Sequence, residues 1–449
     1  MELSAFALAI IVATNSVGQA INQEEVKDQS KNFEKWWGTE LEWRFDELPT
    51  KGSVSKKRMP YAGHIYPDRN GGTQSAMRKY DHAFYRGYSR ATWFEQADLN
   101  NHREVKTVPH RYGWGRTRYT TVTHTPTWYG HCNGWTAAAI RHAEPKKNVT
   151  RNGVVFTPAD IKGLLAELYM YSETEYLGGV NYVINPGTFH VVVTNWLGRQ
   201  SHPIGMESHP GKEVWNYPMY GYAMSFGKRY GGRQVEVKMN VGYKHYTNGE
   251  FHQAPDNRYI KYFHYMLTLN EEGKITGGYY LYNSSQIDMM WLPLAPFQGG
   301  KEGNERGNIY LDKDEVISIW RDSVDDEDVE GWVNIEDARA EHLAKAEAER
   351  EANEVAAIEA AGDPTATSVE TSADAPDAID PADEAGADAI INSASEAIAE
   401  LEGANSTAPE SAPTDESPSV PPAGAPAPAT EAVVESSDAT PVEAGASGE

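Results

Sequence analysis

Cysteine is almost missing from this chain of 449 residues: Cys132 is the only one. A single thiol excludes an intramolecular disulfide and any zinc site built from several thiolates. Long apolar runs are missing too. The stretch from Ala5 to Ala13 has the length of a signal-peptide core and is too short to span a bilayer. No later segment approaches the roughly 18 consecutive apolar residues of a spanning helix. Gly18 and Ala20 supply small residues suited to cleavage, although no Lys or Arg precedes the run. Residues 1–20 are therefore read as a signal peptide, and the protein as secreted or periplasmic, without a membrane span.

Basic charge is scarce in the last quarter of the chain, and aromatics vanish beyond Gly362. Residues 331–449 hold 27 of the 65 acidic residues but 3 of the 40 basic ones, a net of −24, which leaves −1 for everything before them. The overall acidity thus says little about what the folded part binds. Residues 335–361, rich in Ala, Glu, Lys and Arg, are expected to form a charged helix. Residues 362–449 carry too little apolar surface to offset the entropy of ordering, and are expected to be a disordered acidic tail. Such a tail opposes phosphate, and no basic cluster interleaved with aromatics falls into a recognised module, so no nucleic-acid partner is expected.

Between these ends the chain is dense in aromatic residues. Residues 21–85 are polar and rich in Lys, Arg and Trp with little periodicity, which suits either a pro-region or an N-terminal layer on the core. From Arg86 to about residue 330 strand-like patterns dominate, as in the β-branched run Thr117–Thr123 and the alternating Gln234–Met239. One helix is well signalled. Thr157-Pro158-Ala159-Asp160 reads as N-cap, proline at the first helical position and acid in the first turn, leading into Ile161–Tyr169. Asp160 is accordingly a helix-start residue rather than a catalytic acid.

Cys132 lies in Trp128-Tyr129-Gly130-His131-Cys132-Asn133-Gly134-Trp135, directly ahead of the alanine-rich run Thr136–Ile140. A thiol at a helix N-terminus faces unsatisfied N–H groups and the positive end of the dipole, which favour thiolate. Its pKa is expected to fall into the range of about 3.5–7.5. The two glycines around it suit a close backbone approach. Trp128 and Trp135 either wall a substrate channel or pack beneath it.

A cysteine nucleophile needs a base. His131 adjoins Cys132 and points elsewhere. His190 is the one polar side chain in an apolar run within Asn185–Gly198, read as a turn leading into a buried strand, and it follows the cysteine by 58 residues.

The segments WYGHCNGW, FTPADIKGLLAELY, NPGTFHVVVTNWLG, EVWNYPMYGY and GGYYLYNSSQIDMMWLP resemble the transglutaminase elicitor family over roughly residues 86–300. That resemblance implies an α+β fold with a papain-like or transglutaminase-like cysteine acyltransferase core and an antiparallel sheet. It implies Cys132 as nucleophile, His190 as base, and protein substrates bearing Gln and Lys side chains. The third member departs from the family, which usually offers an aspartate on the strand after the histidine. Glu207, in Pro203–Ser208, and Asn216, in Val214–Pro218, are the rivals for that role. Tyr217 also stands where a glutamine is usual.

Some transglutaminases need calcium, and Asp312, Asp314 and Glu315 are clustered oxygen ligands that suit it. Two other functions fit the same sequence: a papain-like cysteine protease, and a non-catalytic secreted elicitor-like or adhesin-like surface protein.

Overall fold

The computed structural model describes residues 19–112, 116–179 and 183–331. Residues 1–18 of the signal peptide expected at 1–20, the charged helix at 335–361 and the acidic tail at 362–449 lie outside the described residues.

Eight helices are described: α1 Gln23–Trp37, α2 Gln74–Phe84, α3 Ala91–Asn101, α4 Cys132–Arg141, α5 Pro158–Tyr169, α6 Pro186–Val193, α7 Lys313–Ser323 and α8 Asp326–Gly331. The strands are β1 Gln19–Ala20, β2 Lys51–Ser53, β3 Glu104–Tyr112, β4 Arg116–His124, β5 Val149–Arg151, β6 Val154–Phe156, β7 Thr174–Gly178, β8 Ile204–Glu207, β9 Asn216–Arg229, β10 Gln234–Lys244, β11 Arg258–Leu269, β12 Ile275–Tyr280 and β13 Met289–Pro293. Nine of them form one sheet in the order β1-β12-β11-β10-β9-β8-β13-β7, with β2 also pairing with β9, and every pairing is antiparallel. β3 and β4 form a separate two-stranded ribbon, as do β5 and β6.

Alternation builds the sheet. In β10, Val235, Val237, Met239 and Val241 are buried, while Gln234, Glu236 and Lys238 stay partly exposed, the period of two that the sequence shows. The buried side pairs with Phe263, Tyr265 and Leu267 of β11 and with Phe189 of α6. A second apolar cluster joins α2, α5 and α7 through Met77, Tyr80, Leu164, Leu165, Ile319 and Trp320. α4 lies between, with Ala139 in the first cluster and Ala137 and Ala138 in the second.

Residues 21–85 pack as a layer on this core. Phe33 and Trp37 meet Trp196 edge-on with ring centroids 5.5 and 5.8 Å apart, and Trp36, Phe45 and Tyr61 are buried. The helix start at Thr157 is present as read: the Thr157 hydroxyl accepts from the Asp160 N–H, and the Asp160 carboxylate accepts from the Thr157 N–H.

The strand expected after Asn185 is instead the helix α6, running into a wide π-type turn over Thr194–Arg199. Asn185 caps it by accepting from the Gly187 N–H at 2.8 Å, and Pro186 opens its first turn. The β-branched run Val191–Thr194 favours a strand locally. Burial on every side of the segment together with a strong cap overrides that preference.

Candidate active site

Two close approaches fix the start of α4. A Cβ on Gly130 would lie 2.6 Å from the Ile65 carbonyl oxygen, and one on Gly134 would run into the Ala166 carbonyl of α5. Glycine at both positions lets the helix begin against these backbones, and the His131 N–H donates to the Ile65 carbonyl at 2.7 Å. Cys132, the first residue of the helix, forms part of the lining of a cavity of about 490 Å³. Trp128, Tyr129, Tyr171, Tyr176 and Trp291 supply its aromatic walls, and His102 and Arg306 are its charged or titratable lining.

Cys132 Sγ is buried and touches β9. It donates to the Val214 carbonyl at 3.6 Å and accepts from the Asn216 backbone N–H at 3.5 Å and from Asn216 Nδ2 at 3.8 Å. Asn216 is held in turn by Trp291 Nε1, which donates to its Oδ1 at 2.8 Å. Glu207, at the end of β8, is the cross-strand partner of Asn216, so the two rivals for the third role stand side by side.

Asp288 adjoins β13 and forms a carboxyl–carboxyl hydrogen bond with Glu207. Burial and the Asp288 charge push the Glu207 carboxyl up to about 8. Burial raises Asp288 as well, while the hydrogen bond to Glu207, backbone N–H groups and the charge of His209 pull the other way. Two like charges this close cannot both ionise cheaply, so the pair shares a proton near neutrality.

The thiol differs from expectation. Burial raises its pKa, the N–H groups of Asn216 and Asn133 only partly offset this, and Glu207 pushes it further up. Desolvation of the anion outweighs the helix terminus.

His190 stands apart from this group. It is fully buried in α6, its Nδ1 bonds the Tyr265 hydroxyl at 2.8 Å, and Phe45 stacks on its ring at 5.4 Å. Burial holds its pKa near 3, so it stays neutral. Its hydrogen bond and ring contacts lead to β11 and the N-terminal layer. α6 turns His190 toward β11 and packs against β11 and β12. Of the two flanking tryptophans, Trp128 lines the cavity, whereas Trp135 is buried beneath it and donates to the Tyr61 carbonyl at 3.3 Å.

A second polar cluster lies on the other side of the α4 start. His131 is buried with its Nε2 3.1 Å from Glu167 and 3.5 Å from Glu95, and its Nδ1 3.7 Å from Asp68. Thr73 donates its N–H to Glu95 and its hydroxyl to Glu167, and Asn308 donates to Glu167. Burial opposes a charge on His131, but the two glutamates hold its pKa well above the usual imidazole value. Glu95, His131 and Glu167 are the one group among the described residues whose donor atoms converge closely enough to hold a metal ion. A protonated imidazole satisfies the same carboxylates without an ion.

The residues suggested for calcium are otherwise engaged. Asp312 caps α7 by accepting from the Glu315 N–H, Glu315 pairs with Arg151, and Asp314 pairs with Lys313. Sequence reasoning missed Asp288 and the imidazole next to it, His209, whose signal was its place two residues after Glu207 in Glu207-Ser208-His209.

Comparison with known proteins bears on this geometry. The family model described as "Transglutaminase elicitor" matches residues 113–183 and 176–247. A comparison with curated proteins returns no match. The crystal structure of the GP42 transglutaminase from Phytophthora sojae is similar, with a TM-score of 0.54 at 22% sequence identity, over 68% of this chain and 99% of that one. At that identity the likeness establishes a mixed helix and antiparallel-sheet fold shared with a transglutaminase. Over residues 113–247, which hold Cys132, His190, Glu207 and Asn216, the chain is similar to the transglutaminase elicitor family.

Proposed function

We propose that this protein is a secreted protein-glutamine γ-glutamyltransferase acting through a Cys132 thioester. The observation that carries the reading is a lone cysteine at a helix start, in an aromatic cavity, facing two N–H donors of Asn216, whose cross-strand partner Glu207 belongs to a carboxyl pair that titrates near neutrality. The similarity of residues 113–247 to the transglutaminase elicitor family supports it.

In the proposed reaction the ionised Glu207 takes the Cys132 proton as sulfur attacks the γ-carboxamide carbon of a glutamine. N–H groups at the α4 start stabilise the oxyanion, a donor of this kind being worth about 3 kcal/mol. The C–N bond breaks and ammonia leaves with the proton held by Glu207. A lysine amine then attacks the thioester carbon, the C–S bond breaks, and the amine proton returns through Glu207 to the thiol. Water in place of the amine gives glutamate. Asp288 sets the proton affinity of Glu207, and the exposed His209 offers the pair a route to solvent. Asn216, clamped by Trp291, orients the sulfur.

The test is incorporation of a fluorescent primary amine into a glutamine-bearing protein, with ammonia release followed in parallel, by the wild type and Cys132→Ala. Incorporation that depends on Cys132 is expected. Fragmentation without incorporation would make the protein a peptidase. The raised thiol pKa gives one further reading its footing, a surface protein whose site is idle, and inactivity in both assays would select it.

A further inference from the structure

The β3–β4 ribbon is unlike the rest of the molecule. Its strands pair in register from Glu104↔His124 to Tyr112↔Arg116, and nearly every described side chain along it is exposed. Nine residues per strand carry it about 30 Å from its root. A two-stranded ribbon with both faces in water is marginal by itself.

Alternation sorts its residues. One face carries Lys106, Val108 and His110 opposite Val122, Thr120 and Arg118; the other carries Val105, Thr107, Pro109 and Arg111 opposite Thr123, Thr121, Tyr119 and Thr117. On the first face His110 and Arg118 stand directly opposite each other, an arrangement that destabilises a ribbon when both are charged. Among the described residues no carboxylate pairs with Lys106, Arg111 or Arg118, while the half-buried or buried body cations Arg151, Lys162 and Lys244 are paired. The cations of the ribbon are thus unneutralised in a body whose charge is otherwise nearly balanced.

The root of the ribbon is the rim of the Cys132 cavity. His102, two residues before β3, stacks on Tyr129 at 5.3 Å, both line the cavity, and the Tyr129 hydroxyl reaches Glu104 at 3.5 Å. The lining itself has no carboxylate, and Arg306 within it pairs with Asp98 at 3.7 Å.

We propose that the β3–β4 ribbon is a docking arm for the acyl-donor protein, and that it selects an acidic, extended segment flanking the reactive glutamine. Aspartates and glutamates of the donor lie along Lys106, His110 and Arg118 while its glutamine enters the cavity at the foot of the arm. This rests on the acyl-transfer reading of Cys132, and the experiment separates the two.

Labelled peptides with one glutamine flanked by acidic, neutral or basic residues are titrated against full-length Cys132→Ala and against the same protein carrying Lys106→Glu and Arg118→Glu. The acidic peptide is expected to bind best, to lose at least tenfold in affinity on the double change, and to weaken steeply with salt; the basic peptide should gain. In the active protein the double change should raise KM for the acidic peptide about tenfold while leaving kcat, and turnover of a short uncharged glutamine donor, unchanged. Equal binding of the acidic peptide by both proteins overturns the proposal. So does an oligonucleotide that binds tighter than the peptide through the same residues, or a dimer that the double change dissolves. Ribbon-dependent peptide binding with no amine incorporation from any donor would leave the arm standing and remove the acyl-transfer reading.

Discussion

Two pairs of carboxylates flank the first turn of α4, and they hold their protons in opposite ways. On one side Glu95 and Glu167 face each other with His131 between them. On the other, Glu207 and Asp288 hydrogen-bond to each other directly, and the nearby imidazole, His209, is exposed beside Asp288. All four are largely buried. The position of the imidazole decides the outcome: where it is buried between the carboxylates the proton sits on nitrogen and Glu167 stays ionised; where the carboxyls bond each other directly the proton stays on the pair and Glu207 titrates near 8. The first arrangement suits a fixed structural charge, the second a group that gains and loses a proton during turnover.

The comparison breaks most visibly at His131. His131→Ala leaves Glu95 and Glu167 facing each other in a dry site, and uncompensated buried charges cost about 3–5 kcal/mol. Urea unfolding should show a loss of that order, and Glu95→Gln in the same chain should recover part of it. A loss below about 1 kcal/mol would mean that the cluster is held by something other than the imidazolium.

Glu207→Gln should act on the chemistry. Removing a general base typically costs 10²–10⁴-fold, so kcat for amine incorporation should fall by about 10² or more. In the wild type the rate should climb as pH rises toward 8, because only the ionised Glu207 accepts the thiol proton. A wild-type profile that stays flat from pH 6 to 9 would remove Glu207 from that role.

Stability should separate the two sides by pH. The Glu207 pKa is raised above its unfolded value near 4.5, so its protonated form favours the fold below about pH 4.5, and this contribution is lost as pH rises through about 8. Glu207→Gln should therefore gain on the wild type across that window, by several degrees in Tm at pH 8. His131 is raised as well, but from 6.5, so its contribution is complete below that value and declines only at higher pH. Thermal melts of wild type and Glu207→Gln between pH 4 and 9 check the ordering.

Much of this arrangement is legible in the sequence where the cause is local. The cap at Thr157, the alternation in Gln234–Met239 and the glycines around Cys132 each follow from a few neighbouring residues and are found as read. Glu207 and Asn216 were also within reach, because a short connection between two antiparallel strands brings them together. Asp288 was not. It reaches Glu207 because β13 inserts beside β8, pairing Met289 with Glu207 82 residues earlier and Met290 with Met206 84 residues earlier. The Val191–Thr194 run shows the limit of propensity, since a buried helix and a buried strand carry the same apolar pattern. The thiol shows the limit of position. A helix N-terminus predicts a lowered pKa, but the burial that reverses it comes with chain distant in sequence, such as Val214, whose carbonyl meets the sulfur.

The smallest effect should come from the clamp. Trp291 Nε1 donates to Asn216 Oδ1, and Asn216 in turn offers its backbone N–H and its amide to Cys132 Sγ. Trp291→Phe keeps an aromatic wall but removes the donor, leaving a buried amide oxygen unpaired at a cost of about 1–3 kcal/mol. The backbone N–H of Asn216 stays fixed by the β8–β9 pairing, so the sulfur keeps one donor while the side-chain amide loosens. kcat should drop only several-fold, KM for a small glutamine donor should change little, and the rise of rate toward pH 8 should remain. A loss as large as that of Glu207→Gln would instead assign Asn216 the proton-handling role, and the carboxyl pair would become the bystander.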